Sequence, residues 1–219
     1  GDRLGIEGQT GYATGIHLHF EVIEQGQTID PQLFMAEVGA PLNGTAAKAN
    51  ADIPSTPASG EVTATRGDGQ PVTLKGEQLT HASVIITVGR DLAVPHRGIV
   101  VALMAALQES GVRNLDYGDR DSLGLFQQRA SWGTATERQT PTYAARAFYG
   151  GPAGPNLGSP RGLLDIDDWQ SFGPGQAAQA VQVSAFPRLY DRWEPVARAL
   201  LDHLSAGSGG GCTLVAAGD

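Results

Sequence analysis

The run Ile99 to Leu107 (IVVALMAAL) constrains this chain more than any other feature, because every residue in it is apolar. It lies inside PHRGIVVALMAALQES, opened near Pro95 and closed by Gly111. Proline favours the first turn of a helix and glycine the residue past its end, so the segment predicts a helix from about Pro95 to Ser110. With no polar face, that helix must be buried on most sides. The covering elements are also in the sequence. LTHASVIITVGRDLAV carries apolar residues at helical spacing with Thr80 as N-cap, and TYAARAFY, GQAAQAVQVSAF and RWEPVARALLDHL predict further helices. Residues 77–204 therefore read as one mainly helical domain, interrupted by the Gly- and Pro-rich loop GGPAGPNLGSPRG.

The rest of the chain reads differently. In residues 1–35, Leu18, Phe20 and Val22 alternate with His17, His19 and Glu21, the period of a strand with two unlike faces. Residues 36–76 are rich in Ala, Gly, Pro, Thr and Ser, a composition that buries too little to offset ordering entropy, and predict a flexible linker. Asn43-Gly44-Thr45 fits a glycosylation pattern and Arg66-Gly67-Asp68 an adhesion tripeptide; patterns this short recur by chance. Residues 205–219 (SAGSGGGCTLVAAGD) predict a second flexible segment.

Charge and cysteine usage exclude several functions. A net charge of −8 argues against nucleic acid, whose binding rests on clustered Lys and Arg. The block from Arg113 to Arg129 is no basic patch, since Asp116, Asp119 and Asp121 interrupt it. Cys212 is the one cysteine, too few for an intramolecular disulfide or a thiolate zinc cluster. No apolar stretch is long enough to span a bilayer. The opening GDRLGIEG has neither the basic nor the apolar region of a signal peptide, and it lacks a starting methionine, so a processed chain or a fragment is expected.

His17 and His19, at i and i+2 on a strand, point to one face; spacing alone favours an ordinary pair on an exposed strand face over a shared metal site. The segment Gly8-Gln9-Thr10-Gly11-Tyr12-Ala13-Thr14-Gly15-Ile16-His17-Leu18-His19-Phe20-Glu21-Val22, with Gly26 and Ile29-Asp30-Pro31 after it, resembles the C-terminal end of LytM-type (M23) zinc endopeptidases. Those enzymes cut peptide cross-bridges in bacterial peptidoglycan. The resemblance implies that His19 is a zinc ligand and His17 its catalytic partner. The family's remaining His and Asp ligands lie upstream, and His81, His96 and His203 do not match their motif. The resemblance thus covers about a third of such a domain. Zinc is implied for the complete domain only, and the peptidase part is expected to be inactive here.

The stretch LQESGVRNLDYGDRDSLGLFQQR places Glu109 at the end of the apolar helix. A carboxyl at that boundary loses solvent, which raises its pKa and suits it to protonate a glycosidic oxygen. The bland counterpart is an ordinary helix-end Glu ion-paired to Arg113 at i+4. Glu109-Ser110, with Gly124-Leu125-Phe126-Gln127 starting fifteen residues after Glu109, resembles the soluble lytic transglycosylases and goose-type lysozymes. Asn114 and Ser122 fall where that family's loop carries Asn and Ser. The wider stretch, through TYAARAFYGG and AAQAVQVSAFPRLYDRWEP, also resembles a domain that actinobacterial and phage cell-wall proteins carry beside M23 domains. The resemblance implies a lysozyme-like fold, Glu109 as general acid and then base, and Ser110 and Gln127 as substrate contacts. One motif departs. The family's A-Y-N-x-G tyrosine supports the glutamate, but the nearest counterpart here reads Val183-Ser184-Ala185-Phe186-Pro187, with Tyr190 the next available tyrosine.

Asp116, Asp119 and Asp121 are candidates for a second carboxylate; loop aspartates are more commonly solvated or capping residues. Trp132, Trp169, Trp193, Tyr143 and Phe148 are expected in the core rather than on sugar rings. The chain is therefore expected to be a mainly α, lysozyme-like helical domain behind a short β fragment of an M23 domain. As part of a modular, exported wall protein, it would cleave the MurNAc–GlcNAc bond of peptidoglycan without a cofactor in the helical domain. Its alternatives are a non-catalytic peptidoglycan-binding module, or a parent protein acting mainly as a zinc endopeptidase.

Overall fold

The computed structural model describes residues 22–24, 27–29, 60–184 and 187–207. The chain divides into two units, Gly1–Asn50 and Ala51–Asp219. In the first, β1 (Val22–Glu24) pairs antiparallel with β2 (Gln27–Ile29), Val22 opposite Ile29. His17 and His19 lie outside the described residues.

The second unit is mainly helical. It opens with a hairpin of β3 (Glu61–Thr65) and β4 (Pro71–Lys75), in which Val62 faces Leu74 and both are buried. This corrects the expectation of a flexible linker over residues 36–76; residues 36–59 lie outside the described residues. Composition misled because two inward apolar side chains suffice once the rest of the domain supplies the other half of their burial. The loop Gly67-Asp68-Gly69 is closed by the Arg66 N–H donating to the Gln70 carbonyl at 2.9 Å, and Gly69 takes the left-handed conformation (φ 84°) that three-residue hairpin loops need.

Six α-helices follow among the described residues: α1 (Glu77–Asp91), α2 (His96–Ser110), α3 (Ala135–Gln139), α4 (Pro141–Tyr149), α5 (Pro174–Gln182) and α6 (Glu194–Gly207). Helix α2 is central. Every residue from Gly98 to Leu107 is buried, as the unbroken apolar run demands, and α1, α5 and α6 pack against it. Each fully buried Leu, Ile or Val there contributes about 1.5–3 kcal/mol. Strand β3 lies on α6 and β4 on α1.

Three local expectations need correction. Thr80 is not the N-cap of α1: the helix starts a turn earlier after Gly76, and the Thr80 hydroxyl donates to the Gly76 carbonyl from inside the first turn. The helix at GQAAQAVQVSAF ends at Gln182, because Val183 turns left-handed (φ 49°). Helix α6 runs on through Ser205 to Gly207, within the expected flexible tail, and the Ser205 hydroxyl accepts from Arg90 at 2.7 Å. The cores of α2 and α4 agree with expectation, and Trp132, Trp169, Trp193, Tyr143 and Phe148 are all buried. Among the described residues no helix is long and apolar enough to cross a membrane.

Candidate active site

Helix α2 stops one residue past Glu109. Gly111 adopts the left-handed conformation, and the N–H groups of Gly111 and Val112 return to the Leu107 and Ala106 carbonyls. Glu109 thus sits in a final turn, part-buried, beside the loop that follows. Its carboxyl opens into a cleft of about 310 Å³ lined by Glu109, Asp119, Ser122, Phe126, Gln127, Arg129, Gln182 and Ser184.

Tyr190 is the decisive partner. Its hydroxyl donates to Glu109 Oε1 at 2.5 Å, and its ring is fully buried. Burial pushes the Glu109 carboxyl above its ordinary range, with the Tyr190 hydrogen bond pulling partly back. Burial and the neighbouring carboxylate hold the Tyr190 phenol far above its ordinary range, so it remains a donor. Glu109 forms no ion pair among the described residues, and Arg113 is exposed, so the helix-end salt bridge is not what this carboxyl does.

Beside Glu109 stands the turn at Gly124–Gln127, whose Phe126 and Gln127 line the same cleft. Leu123 and Gln128 exchange both backbone hydrogen bonds at 3.0 Å, closing the turn. Gly124 has φ 76°, and a Cβ there would stand 2.0 Å from the Arg138 carbonyl, so only glycine fits. Phe126 stacks on Phe148 of α4 with ring centroids 4.6 Å apart. The buried Arg138 guanidinium donates to the carbonyls of Gly133, Thr134, Asp121 and Gln128, tying four loop carbonyls together.

Ser110 is the reason that Glu109 and the turn keep company. Its hydroxyl donates to the Leu125 carbonyl at 2.7 Å and accepts the Arg113 N–H at 3.2 Å. That bond spans the fifteen residues that separate the two motifs. Ser110 is buried and does not line the cleft, which corrects its assignment as a substrate contact: its hydroxyl is committed to backbone. Gln127 does line the cleft, its amide N–H₂ held by the Tyr117 and Gly124 carbonyls at 3.2 and 3.3 Å. The adjacent Gln128 faces inward and donates to the Ala144 carbonyl.

Of the three aspartates, Asp119 lines the cleft and Asp116 does not. The Asp121 carboxylate accepts the Ala130 N–H at 2.8 Å and pairs with Arg129; both lower its pKa, the backbone bond first. Asn114 and Ser122 divide similarly. Asn114 Nδ2 donates to the Gln139 carbonyl at 2.6 Å, whereas buried Ser122 reaches the cleft.

Sequence reading did not single out Arg129, Gln182 or Ser184. Gln182 donates to the Phe126 carbonyl at 2.9 Å, joining α5 to the turn, and the Ser184 carbonyl accepts from Gln179 at 2.7 Å. Ser184 also shares a side-chain hydrogen bond with Tyr190. The available signal was two polar residues at the end of α5, just where its apolar pattern stops. Among the described residues no cluster of His, Cys, Asp and Glu could hold a metal ion. No protein-family model matches the chain, and no curated protein is similar to it.

Proposed function

We propose that the helical domain is a peptidoglycan glycosidase that cleaves the MurNAc–GlcNAc bond, with Glu109 as general acid and then general base. The carrying observation is a part-buried carboxyl in an open cleft, its pKa raised by burial, with a buried tyrosine hydroxyl on one oxygen. Because Tyr190 donates to Oε1, the proton of the neutral acid belongs on Oε2. From there it passes to the glycosidic oxygen as the C1–O bond breaks. The resulting carboxylate keeps the Tyr190 hydrogen bond, which stabilises it until it takes a proton from the attacking O–H and becomes the acid again. If the attacker is water, the product gains one water; if it is the sugar's own hydroxyl, an anhydro sugar forms and no water is consumed. Asp119, a carboxylate lining the same cleft, favours hydrolysis, since it is available to orient water.

The likeness of Glu109-Ser110 and Gly124-Leu125-Phe126-Gln127 to the lytic transglycosylases and goose-type lysozymes supports this reading. So does Tyr190, which gives Glu109 the kind of support that the family's A-Y-N-x-G tyrosine provides, from outside residues 183–187. The M23-like residues 8–31 extend the proposal to a modular, exported cell-wall protein, in which His19 would help hold zinc in a complete peptidase domain and His17 would act beside it. No step of the glycosidase reaction involves zinc.

The test is mass spectrometry of soluble products released from purified peptidoglycan by the whole chain and by Glu109→Gln. Loss of the acid is expected to cost about 10²–10⁴-fold in rate. Reducing-end muropeptides from the wild type alone would establish a hydrolase with Asp119 as the next residue to change; anhydro-muropeptides would establish a transglycosylase. Retained binding to peptidoglycan with no product from either protein would replace the enzyme by a binding module.

A further inference from the structure

The tripeptide Arg66-Gly67-Asp68 forms the start of the β3–β4 turn, with Gly67 and Asp68 exposed and Arg66 half-buried. Asp68 pairs with Arg66 at 2.5 Å and approaches Arg192 at 3.9 Å. The Arg66 guanidinium lies over the Trp193 ring at 5.0 Å, and that of Arg192 over the same ring at 5.6 Å. The Gly67 N–H donates to the Arg192 carbonyl at 2.8 Å, and a Cβ on Gly67 would stand 3.4 Å from the Arg192 Cα. The tip of the β3–β4 hairpin is therefore seated on residues 192–193.

The same short segment holds the end of α2. Arg192 and the Trp193 indole N–H both donate to Gln108 Oε1, at 2.9 and 2.8 Å. Two residues before Arg192, Tyr190 donates to Glu109. Gln108 and Glu109, neighbours on the last turn of α2, are thus each gripped by residues 190–193, and the hairpin tip closes on the far side of that grip.

We propose that Arg66, Gly67 and Asp68 form a positioning clamp that keeps Tyr190 on Glu109. The clamp acts on the carboxyl through segment 190–193 and touches no substrate. Its consequence for catalysis rests on the glycosidase reading, but its existence is decided by Glu109 itself. The charged groups that line the cleft with Glu109 are Asp119 and Arg129; Arg113 lies exposed at the helix end. None of these belongs to the hairpin, so tip substitutions leave them in place.

The experiment follows the Glu109 carboxyl by carbon-13 NMR across pH in the whole chain. Asp68→Ala removes the carboxylate bridging the two arginines, and Gly67→Val drives a side chain against the Arg192 backbone. Each is measured with Tyr190 and with Tyr190→Phe, and Thr73→Ala, which breaks the exposed Thr63–Thr73 hydroxyl pair at 2.8 Å, serves as the strand control. The expected result is that Asp68→Ala and Gly67→Val move the Glu109 midpoint to higher pH when Tyr190 is present, because they loosen the hydrogen bond that lowers it. With Tyr190→Phe they should displace it by nothing, because the interaction they act through is gone. Equal displacement in both backgrounds, none in either, or the same displacement from Thr73→Ala would each overturn the clamp. An active Glu109→Gln protein would instead refute the glycosidase reading and leave the titration result standing.

Discussion

The two walls of the cleft are made in opposite ways. One wall, from Gln108 to Gln128, is a continuous stretch that folds back on itself through short-range bonds: the Ser110 hydroxyl to the Leu125 carbonyl, and backbone bonds between Leu123 and Gln128 and from Gly124 to Leu115. The other, Gln182 to Ser184 and Pro187 to Trp193, is assembled from the end of α5 and two short 3₁₀ turns, and it is held by side chains from elsewhere. Arg66, Asp68 and Gln108 grip it from positions some 80 to 130 residues away in the chain. A wall closed by local backbone bonds leaves a spacing in the sequence; a wall gripped by distant side chains leaves none.

That contrast can be broken from either side. Ser110→Ala should have the largest effect after loss of Glu109 itself. It leaves the Leu125 carbonyl buried without its donor, at a cost of about 1–3 kcal/mol, and lets the turn drift from Glu109. Calorimetry should show a lower Tm, together with a kcat reduced more than KM is raised.

Tyr190→Phe tests the other wall. Its hydrogen bond lowers the Glu109 pKa, so its loss lets burial raise that pKa further. The general acid must be protonated to act, and its activity falls as pH rises through its pKa. The alkaline limb of kcat against pH should therefore move to higher pH, while kcat falls about tenfold because the carboxylate formed during turnover loses its donor. An alkaline limb that stays in place would remove Tyr190 from the mechanism.

Gln127→Ala should have the smallest effect. Its side chain bonds only to loop carbonyls at 3.2–3.3 Å and lines the cleft. A KM raised a few-fold with Tm nearly unchanged is expected, about 1 kcal/mol of binding. A large drop in Tm would make it a structural residue like its neighbour Gln128.

Some of this was legible beforehand. Helix α2 and its place at the centre follow from an apolar run bounded by Pro95 and Gly111, and Glu109 and Gln127, which the resemblance singles out, both line one cleft. The resemblance implies Ser110 as a substrate contact, whereas its hydroxyl is consumed by a carbonyl fifteen residues away. Composition alone argues for a linker here, because Glu61-Val62-Thr63-Ala64-Thr65 and Pro71-Val72-Thr73-Leu74-Lys75 lie in small-residue surroundings. Yet both runs alternate, and Gly-containing residues separate them, the pattern of a hairpin.

By itself, the sequence determined that a helix with a wholly apolar middle would be buried there, where it would stop, and that an acid would stand at its end. Periodicity and end signals act within a few turns and are written locally. Only the tertiary structure decided which of three aspartates lines the Glu109 cleft, that Tyr190 reaches Glu109 across 81 residues, and that the β3–β4 hairpin bonds to Arg192. Such contacts depend on the distances between packed elements, and no residue carries that distance in its own identity.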